Sequence, residues 1–399
     1  MPRRKRASTV RAVSRPGLLL LSLAYVGFVS LGLPDGLLSV AWPSIRTSFH
    51  LPLNALGPLL VLFTTGYLLS SFSSGRLLAR LNVGTLLALS CLATAVSLLG
   101  YALAPRWEVM VAFGGLAGLG AGAIDAGLNT YVATHYNART LNWLHACYGI
   151  GAASGPVIMA HVMDANLSWQ WGYGLVGVGQ LGLAGCLSVT RQQWSQPPSR
   201  STVAKRPQMA SSLHTLQLPM VWLSVTAFFM YTGLEAATGI WVYSLFTEAR
   251  AIPDMTAGMW VSAYWGGLTL GRLASGIIIG FVSVPLLLRL CIIGMALGAT
   301  LIWLDFTVLL SALGLLVIGV SAAPVFPLLI ATTPERLGAA HTANGIGFQV
   351  AAAVLGQALL PSLIGVLAHV LGLEIVGPVL LTAALLLLVI YEALLASSP

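Results

Sequence analysis

Charge is the scarcest property of this sequence. Asp, Glu, Lys and Arg together make up 8% of its 399 residues, whereas a soluble domain carries about 25%. Such a chain cannot cover a water-facing surface, which excludes soluble enzymes, nucleic-acid-binding proteins and secreted disulfide scaffolds. Hydrophobic residues make up 57%, and roughly 20 consecutive apolar residues cross a bilayer as a helix. The sequence therefore predicts an all-α polytopic membrane protein.

Cysteine is scarce as well, and several chemical motifs are missing. The four cysteines stand alone in apolar stretches, and their spacings fit neither a metal site nor a redox site. The sequence contains no GxxxxGK[ST] phosphate-binding loop and no nucleophile–base arrangement. We therefore expect neither ATP-driven transport nor enzymatic activity, and we expect no metal and no cofactor beyond a coupling ion.

Twelve apolar runs separated by short polar breaks give the predicted transmembrane helices. A polar, Pro/Ser-rich linker at 191–218 divides them into two sets of six. We predict a basic arm at 1–16, a six-helix bundle at 17–190, and a second six-helix bundle with a short tail at 219–399. The predicted spans are 17–43, 53–77, 84–104, 108–134, 142–163, 169–190, 219–246, 255–280, 283–304, 306–333, 339–369 and 371–395.

Basic residues predict the orientation of these spans. All of the 19 Lys and Arg residues except Arg46, Arg106 and Arg250 fall on the side that contains both termini. Because cytoplasmic loops carry an excess of Lys and Arg, we expect both termini in the cytoplasm and the chain in the plasma (inner) membrane. The basic arm then orients the protein, and we expect no nucleic-acid partner.

The two sets of spans also repeat each other. Short segments recur at nearly one offset along the chain, which predicts two pseudo-symmetric six-helix repeats. The matching pairs are 75–77 (GRL) with 271–273 (GRL), 145–151 (HACYGIG) with 341–347 (HTANGIG), and Asp35 with Glu235.

Two six-helix halves, a long central linker, and Gly-Arg near the ends of spans 2 and 8 resemble the major facilitator superfamily. The resemblance implies a secondary active transporter in which 17–190 and 219–395 rock about a central site, giving alternating access. Ala79 stands where that family usually has an acid before an arginine, here Arg80, so its loop motif is degenerate in this chain.

The chain is also similar to the fucose–proton symporter branch and to related sugar permeases. The similarity lies in 32–36 (GLPDG), 125–129 (DAGLN), 137–142 (NARTLN) and 149–156 (GIGAASGP). In that branch an acid in span 1 and another in span 4 are implicated in proton coupling. The resemblance therefore implies proton-coupled symport of a small neutral solute such as a sugar.

Asp35, Asp125 and Glu235 are the carboxylates that lie well inside predicted spans. An ionised acid there costs several kcal/mol, and burial disfavours its charged form, so we expect these three to couple proton movement. The alternative is that each carboxyl group hydrogen-bonds a neighbouring helix. Sodium instead of protons also stays open, because carboxylate and amide oxygens suit a hard cation. Pro34 is expected to kink or break span 1 beside Asp35.

Aromatic and amide side chains within the spans are candidate substrate contacts, because a few polar groups in an apolar pocket are typical of binding sites. Asn129 shares a helix face with Asp125 and either recognises a hydroxyl group or bonds another helix. Trp and Tyr also anchor membrane interfaces, which is the alternative for the aromatic residues. The candidates are Asn129, Trp143, Tyr148, Tyr231, Trp241, Tyr264, Asn344, Gln349 and Gln357, with Trp265 and Phe348 as further lining residues.

Charged and imidazole side chains near the cytoplasmic ends of spans are candidate gating residues, or else they only set the topology. They are Arg76, Arg139, His145, Arg272, Arg336 and His341. The alternative function is a proton-driven antiporter that exports drugs or metabolites, since 151–156 resembles part of an antiporter signature. A sensor or scaffold is disfavoured because it has no use for three costly acids. The expected partners are a small-molecule substrate and the lipid bilayer, and we expect a monomer.

Overall fold

Twelve long helices make up most of the computed structural model, which describes residues 17–136, 138–194, 211–278 and 281–397. The helices are α1 Leu18–Ser48, α2 Leu56–Arg80, α3 Val83–Leu103, α4 Trp107–His135, α5 Ala138–Asp164, α6 Trp169–Thr190, α7 Pro219–Ser244, α8 Asp254–Ile278, α9 Val284–Leu304, α10 Val308–Ala322, α11 Ala339–Leu371 and α12 Val376–Ala396. Short helices at Ser212–Leu216, Val325–Ala331 and Thr333–Leu337 lie between them.

Eleven of the helices in the described residues are long and apolar enough to cross a membrane. The remaining long helix, α8, has 25 residues, which at 1.5 Å per residue gives about 38 Å. This length also spans a hydrocarbon core of about 30 Å. The prediction of an all-α polytopic fold is confirmed.

Helix packing repeats between the two sets of six. In the first half, α1 packs against α5 and α6, α2 against α4, and α3 against α4 and α6. In the second half, α7 packs against α11 and α12, α8 against α10, and α9 against α10 and α12. The halves meet where α5 contacts α8, α2 contacts α11, and α1 contacts α7. A shift of six helices exchanges the first two of these contacts, so the interface has the pseudo-twofold pattern that the sequence repeats predict.

The two ends of the helices carry opposite charge. Arg80, Arg191 and Arg336 lie at the end where α1 begins and α12 finishes, which we call the basic side. Asp164 and Glu248 lie at the other end, which we call the acidic side. This is the asymmetry on which the predicted orientation depends.

Helix α1 runs unbroken through Pro34, contrary to the break expected there. Proline lacks an N–H, so the carbonyl of Ser30 loses its helical donor. The side-chain amide of Gln180, on α6, donates to that carbonyl at 3.0 Å. The Gln180 Oε1 in turn accepts from Cys91 at 3.0 Å and from Thr94 at 3.4 Å. A buried amide from another helix thus replaces the missing backbone bond.

Glycines allow α1 and α5 to approach closely. A Cβ atom on Gly155 would lie 2.6 Å from the Leu33 carbonyl oxygen and 2.7 Å from the Gly36 Cα. Both neighbours are backbone atoms, so they can move only if the helices separate. In lipid, helices associate through such close packing.

We expect Gly155→Ala to lower the melting temperature in detergent by several degrees. Overpacking of this kind costs about 1–3 kcal/mol, more than the gain of about 0.8–1.0 kcal/mol in helix propensity. The matched control is Gly179→Ala on the exposed face of α6, where a Cβ meets nothing within 4 Å. Equal melting temperatures for the two variants would contradict the role assigned to this contact.

Candidate functional site

Asp35 lies near the middle of α1, between Gly32 and Gly36, which pack against the backbone of α5. Helix α1 also contacts α7 of the other half. The Tyr148 hydroxyl on α5 donates to Asp35 Oδ2 at 2.5 Å. Both side chains are half-buried. Tyr148, a predicted substrate contact, therefore contacts a predicted proton-coupling residue, and its hydroxyl group compensates a carboxylate that lies away from bulk water.

A second carboxylate, Asp125 on α4, has two donors. The Tyr67 hydroxyl on α2 donates to Oδ2 at 2.8 Å, and the Asn129 amide donates to Oδ1 at 3.0 Å. The sequence analysis missed Tyr67. The available signal was its position in the middle of a span, away from the interfaces where tyrosine is enriched.

The third carboxylate, Glu235 on α7, is 7% exposed and contacts the Tyr231 hydroxyl one turn earlier. That hydroxyl group also donates to the Ala322 carbonyl oxygen at 2.8 Å. Ala322 is the last residue of α10, and Pro324 lies two residues further along the chain. Tyr264 of α8 donates to the Glu235 backbone carbonyl at 2.8 Å. Glu235 is thus connected to the point where α10 is interrupted.

Arg272 lies beside Glu235, with 3.5 Å between Arg272 Nη2 and Glu235 Oε1. Helix α8 continues beyond it to Ile278, and helical side chains lean toward the helix N-terminus, which for α8 is at the acidic side. The guanidinium group therefore reaches toward the middle of the membrane. It is 26% exposed, and Thr269, one turn earlier on α8, packs against Gly149, the residue after Tyr148 in the other half. The sequence analysis predicted a gate at Arg272 and missed this pairing.

Some predicted substrate contacts are enclosed in this conformation. Tyr231, Tyr264 and Trp241 are fully buried, and the Trp241 indole donates to the Pro361 carbonyl at 2.8 Å, joining α7 to α11. The other enclosed candidates are Gln349, which is buried and accepts from Thr333 at 3.1 Å, and the largely buried Trp265.

Other predicted substrate contacts are exposed or half-buried. Gln357 is exposed on α11, two residues from exposed Leu355 and Leu359, which places it about 200° around the helix from both. It therefore points away from the leucine face of α11. Trp143 is exposed near the basic end of α5, and Phe348 is half-buried on α11.

Asn344 and His341 hold the short helix Ser212–Leu216 against α11. The Asn344 amide donates to Thr215 Oγ1 at 3.2 Å, and His341 Nδ1 lies 2.9 Å from the same oxygen. These contacts connect the end of the linker to the basic side of the second half.

The other predicted gating residues lie apart from one another on the basic side. Arg76 is exposed near the end of α2, and Arg336 is half-buried on Thr333–Leu337. His145 is exposed, and its ring packs edge-on against Phe28 at 5.4 Å. Arg139 lies in the first turn of α5, but its side chain is outside the described residues.

Ion pairs occupy the acidic side. Arg46 at the end of α1 pairs with Glu248 after α7 and so joins the two halves. Arg250, 6% exposed as a side chain, pairs with Asp305 at 3.0 Å and Glu374 at 2.7 Å within the second half. Arg46 and Arg250 entered the sequence analysis only as exceptions to the orientation rule, and their partners were missed because they are distant in sequence.

A separate groove of about 300 Å³ opens between α2, α3 and α4. Leucine and small residues line it, including Leu69, Leu89 and Leu119, and its lining contains no charged residue. It is therefore apart from the carboxylates. Within the part of the chain that the structure describes, no cluster of His, Cys, Asp and Glu could hold a metal ion.

Comparison with known proteins supports the fold. A family model described as "Major Facilitator Superfamily" matches residues 24–361. A bacterial homolog to the human lysosomal transporter Spinster, in an inward-facing and occupied conformation, is similar with a TM-score of 0.75 and 10% identity, over 95% of this chain and 96% of that one. A mutant of the nucleoside transporter NupG is similar with a TM-score of 0.77 and 13% identity, over 94% of this chain and 99% of that one.

One curated relative is Bypass of stop codon protein 6 from Saccharomyces cerevisiae. It is 26% identical over 177 residues, or 40% of this chain. The match spans 34% of the length of that relative, so it carries no argument about activity.

The contact between Arg46 and Glu248 predicts a latch at the acidic side. We expect Arg46→Glu to open this side, because two acids then face each other, and we expect adding Glu248→Arg to restore the pair. The readout is thiol labelling at Ser362→Cys, next to Gly57 of the other half, with the native cysteines replaced.

Labelling should be several-fold faster in the single variant and return to the original rate in the charge-swapped one. Arg106→Glu, an exposed change on the same side, is the control and should leave the rate unchanged. An unchanged rate in Arg46→Glu would show that the pair does not close this side.

Proposed function

Because this chain belongs to the major facilitator superfamily and is therefore a secondary transporter rather than an enzyme, we propose that it carries a small neutral solute such as a sugar together with protons. The observation that carries the proposal is the set of three carboxylates within the membrane, each contacted by a tyrosine hydroxyl group. The pairs are Asp35 with Tyr148, Asp125 with Tyr67, and Glu235 with Tyr231.

Such pairs suit a carboxyl group that gains and loses a proton. A tyrosine hydroxyl donates to the ionised form and accepts from the protonated form, so either state keeps a hydrogen bond. Because α1, α2, α5 and α7, which carry members of these pairs, contact the other half, movement of one half against the other would change their access to water. Protonation and alternating access are coupled in this way, and a ligand shifts the equilibrium by its differential affinity for the two states.

The orientation belongs to the same proposal. With the basic side in the cytoplasm of the cell whose plasma membrane holds the protein, the Arg46–Glu248 contact closes the outer side. Protons and substrate would then leave toward the cytoplasm from the conformation described here. Residues 17–190 and 219–395 are the two moving bodies.

The antiporter alternative has weaker support from the site. Residues 151–156 resemble part of an exporter signature, but Gly151 and Gly155 pack against the backbone of α1. Helix packing accounts for these glycines without a role in export.

The test is the external pH of de-energised proteoliposomes after addition of neutral sugars. We expect alkalinisation with one of them, because proton and solute enter together. Asp35→Asn and Asp125→Asn should each reduce the signal at least tenfold, since an amide cannot carry the proton. Asp164→Asn, on an exposed acid at the acidic side, is the matched control and should behave as the wild type.

Other outcomes would redirect the proposal. Proton release on addition of a lipophilic cation would indicate an antiporter, and uptake that requires sodium at constant pH would indicate sodium coupling. Full activity in both aspartate variants would remove these residues from the coupling mechanism.

A further inference from the structure

Arg272 is held more loosely than another arginine in the second half. Arg289 makes two contacts with Glu392, at 2.5 and 2.7 Å, which is the paired geometry that guanidinium and carboxylate groups favour. Arg272 makes one contact with a carboxylate, to Glu235 at 3.5 Å, which is beyond the usual hydrogen-bond range, and it is hydrogen-bonded to the neutral Tyr231 hydroxyl group. The looser pair is the one inside the membrane, where an uncompensated charge is costly.

The number of hydroxyl protons available at Tyr231 accounts for the long distance between Arg272 and Glu235. Tyr231 carries one hydroxyl proton, and that hydroxyl group lies against two acceptors, Glu235 and the Ala322 carbonyl oxygen. A carbonyl oxygen cannot donate. Both contacts are hydrogen bonds if Glu235 is protonated and donates to Tyr231 while Tyr231 donates to Ala322. A neutral Glu235 then leaves Arg272 hydrogen-bonded to Tyr231 but without an ionised partner.

A buried donor without an acceptor lies on the same face of α8 as Arg272. Trp265 precedes Arg272 by seven residues, or about two turns, so the two side chains project in similar directions. Trp265 is 5% exposed, and its indole N–H is buried with no acceptor among the residues that the structure describes. Buried polar groups in proteins usually have a partner, so a ligand that supplies acceptors fits this face.

From these contacts we infer that Arg272 binds a carboxylate on the transported solute, which makes the substrate a hydroxylated acid such as a sugar acid. The planar guanidinium fork matches a carboxylate with two parallel bonds, and a neutral Glu235 gives way to the substrate carboxylate. The inference rests on the proposed function and replaces its neutral solute with an acidic one.

The nearby acids explain why such a substrate needs protons. Asp35 accepts from Tyr148 on α5, and the next residue, Gly149, packs against Thr269, one turn before Arg272 on α8. An anionic substrate is repelled from Arg272 while Asp35 and Glu235 are both ionised. Protonation of these acids removes the repulsion, so the anion and the protons travel together.

The first test compares neutral sugars with their acids in reconstituted wild-type protein. Galactose and galacturonate differ only at C6, where galactose has a CH₂OH group and galacturonate has a carboxylate. Glucose and glucuronate form a second pair that differs in the same way. Each compound is added to de-energised proteoliposomes while external pH is recorded. We expect at least a tenfold larger alkalinisation with one of the acids than with its neutral partner.

The outcomes separate the inference from the proposed function. A response to a neutral sugar and not to its acid overturns the inference and leaves proton-coupled symport standing. No response to any of the four compounds overturns both.

The second test changes the arginine. Arg272→Gln should abolish the acid response, and Arg272→Lys, which keeps the charge but not the fork, should retain a reduced one. Arg289→Gln, which breaks an ion pair at the basic side, is the control and should respond as the wild type. Melting temperatures in detergent identify a variant that fails to fold. The first test, which compares neutral sugars with their acids in wild-type protein, does not depend on any variant. A wild-type acid response in Arg272→Gln would overturn the inference.

Discussion

Charge inside a membrane must be compensated by the protein itself, because no water is available in the hydrocarbon to solvate it. Here the compensation comes from tyrosine hydroxyls and from one arginine, and these donors lie on different helices from several of the acids they serve. Tyr148 on α5 serves Asp35 on α1, and Arg272 on α8 serves Glu235 on α7. Each of these two pairs lies within one half and moves with it, so under the proposed function rocking of the halves changes the access of water to the acids and leaves the pairs themselves intact.

The two halves share a packing pattern but differ in charge. The first half places Asp35 and Asp125 in the site, whereas the second half places one acid, Glu235, beside one base, Arg272. Under the two proposals the first half carries protons and the second half holds the substrate. Tyr148 would then connect the two roles, since it donates to Asp35 and its neighbour Gly149 packs against Thr269, one turn before Arg272.

Sequence alone predicts the helices and their repeat well, because the membrane dictates span length and apolar composition. It also locates the three carboxylates, since an acid in an apolar run is conspicuous. It misses Tyr67, the partner of Arg272 and the role of Gln180, because these depend on which helix faces meet. The break expected at Pro34 fails for the same reason: the donor that keeps α1 continuous comes from α6, far along the chain.

Arg250, whose ion pairs lie within the second half, is more enclosed than the arginine whose ion pair joins the two halves. Arg250 is almost enclosed and has several partners within one half, so it stabilises a body that moves as a unit. Arg46 and Glu248 join the two halves with side chains 23% and 26% exposed, and exposed pairs contribute about 0–1 kcal/mol. A pair of that strength changes the ratio of two conformations by up to about fivefold. A latch of this strength would bias the transporter toward one conformation and still open in every cycle, and under the proposed function the larger shift comes from protons and substrate.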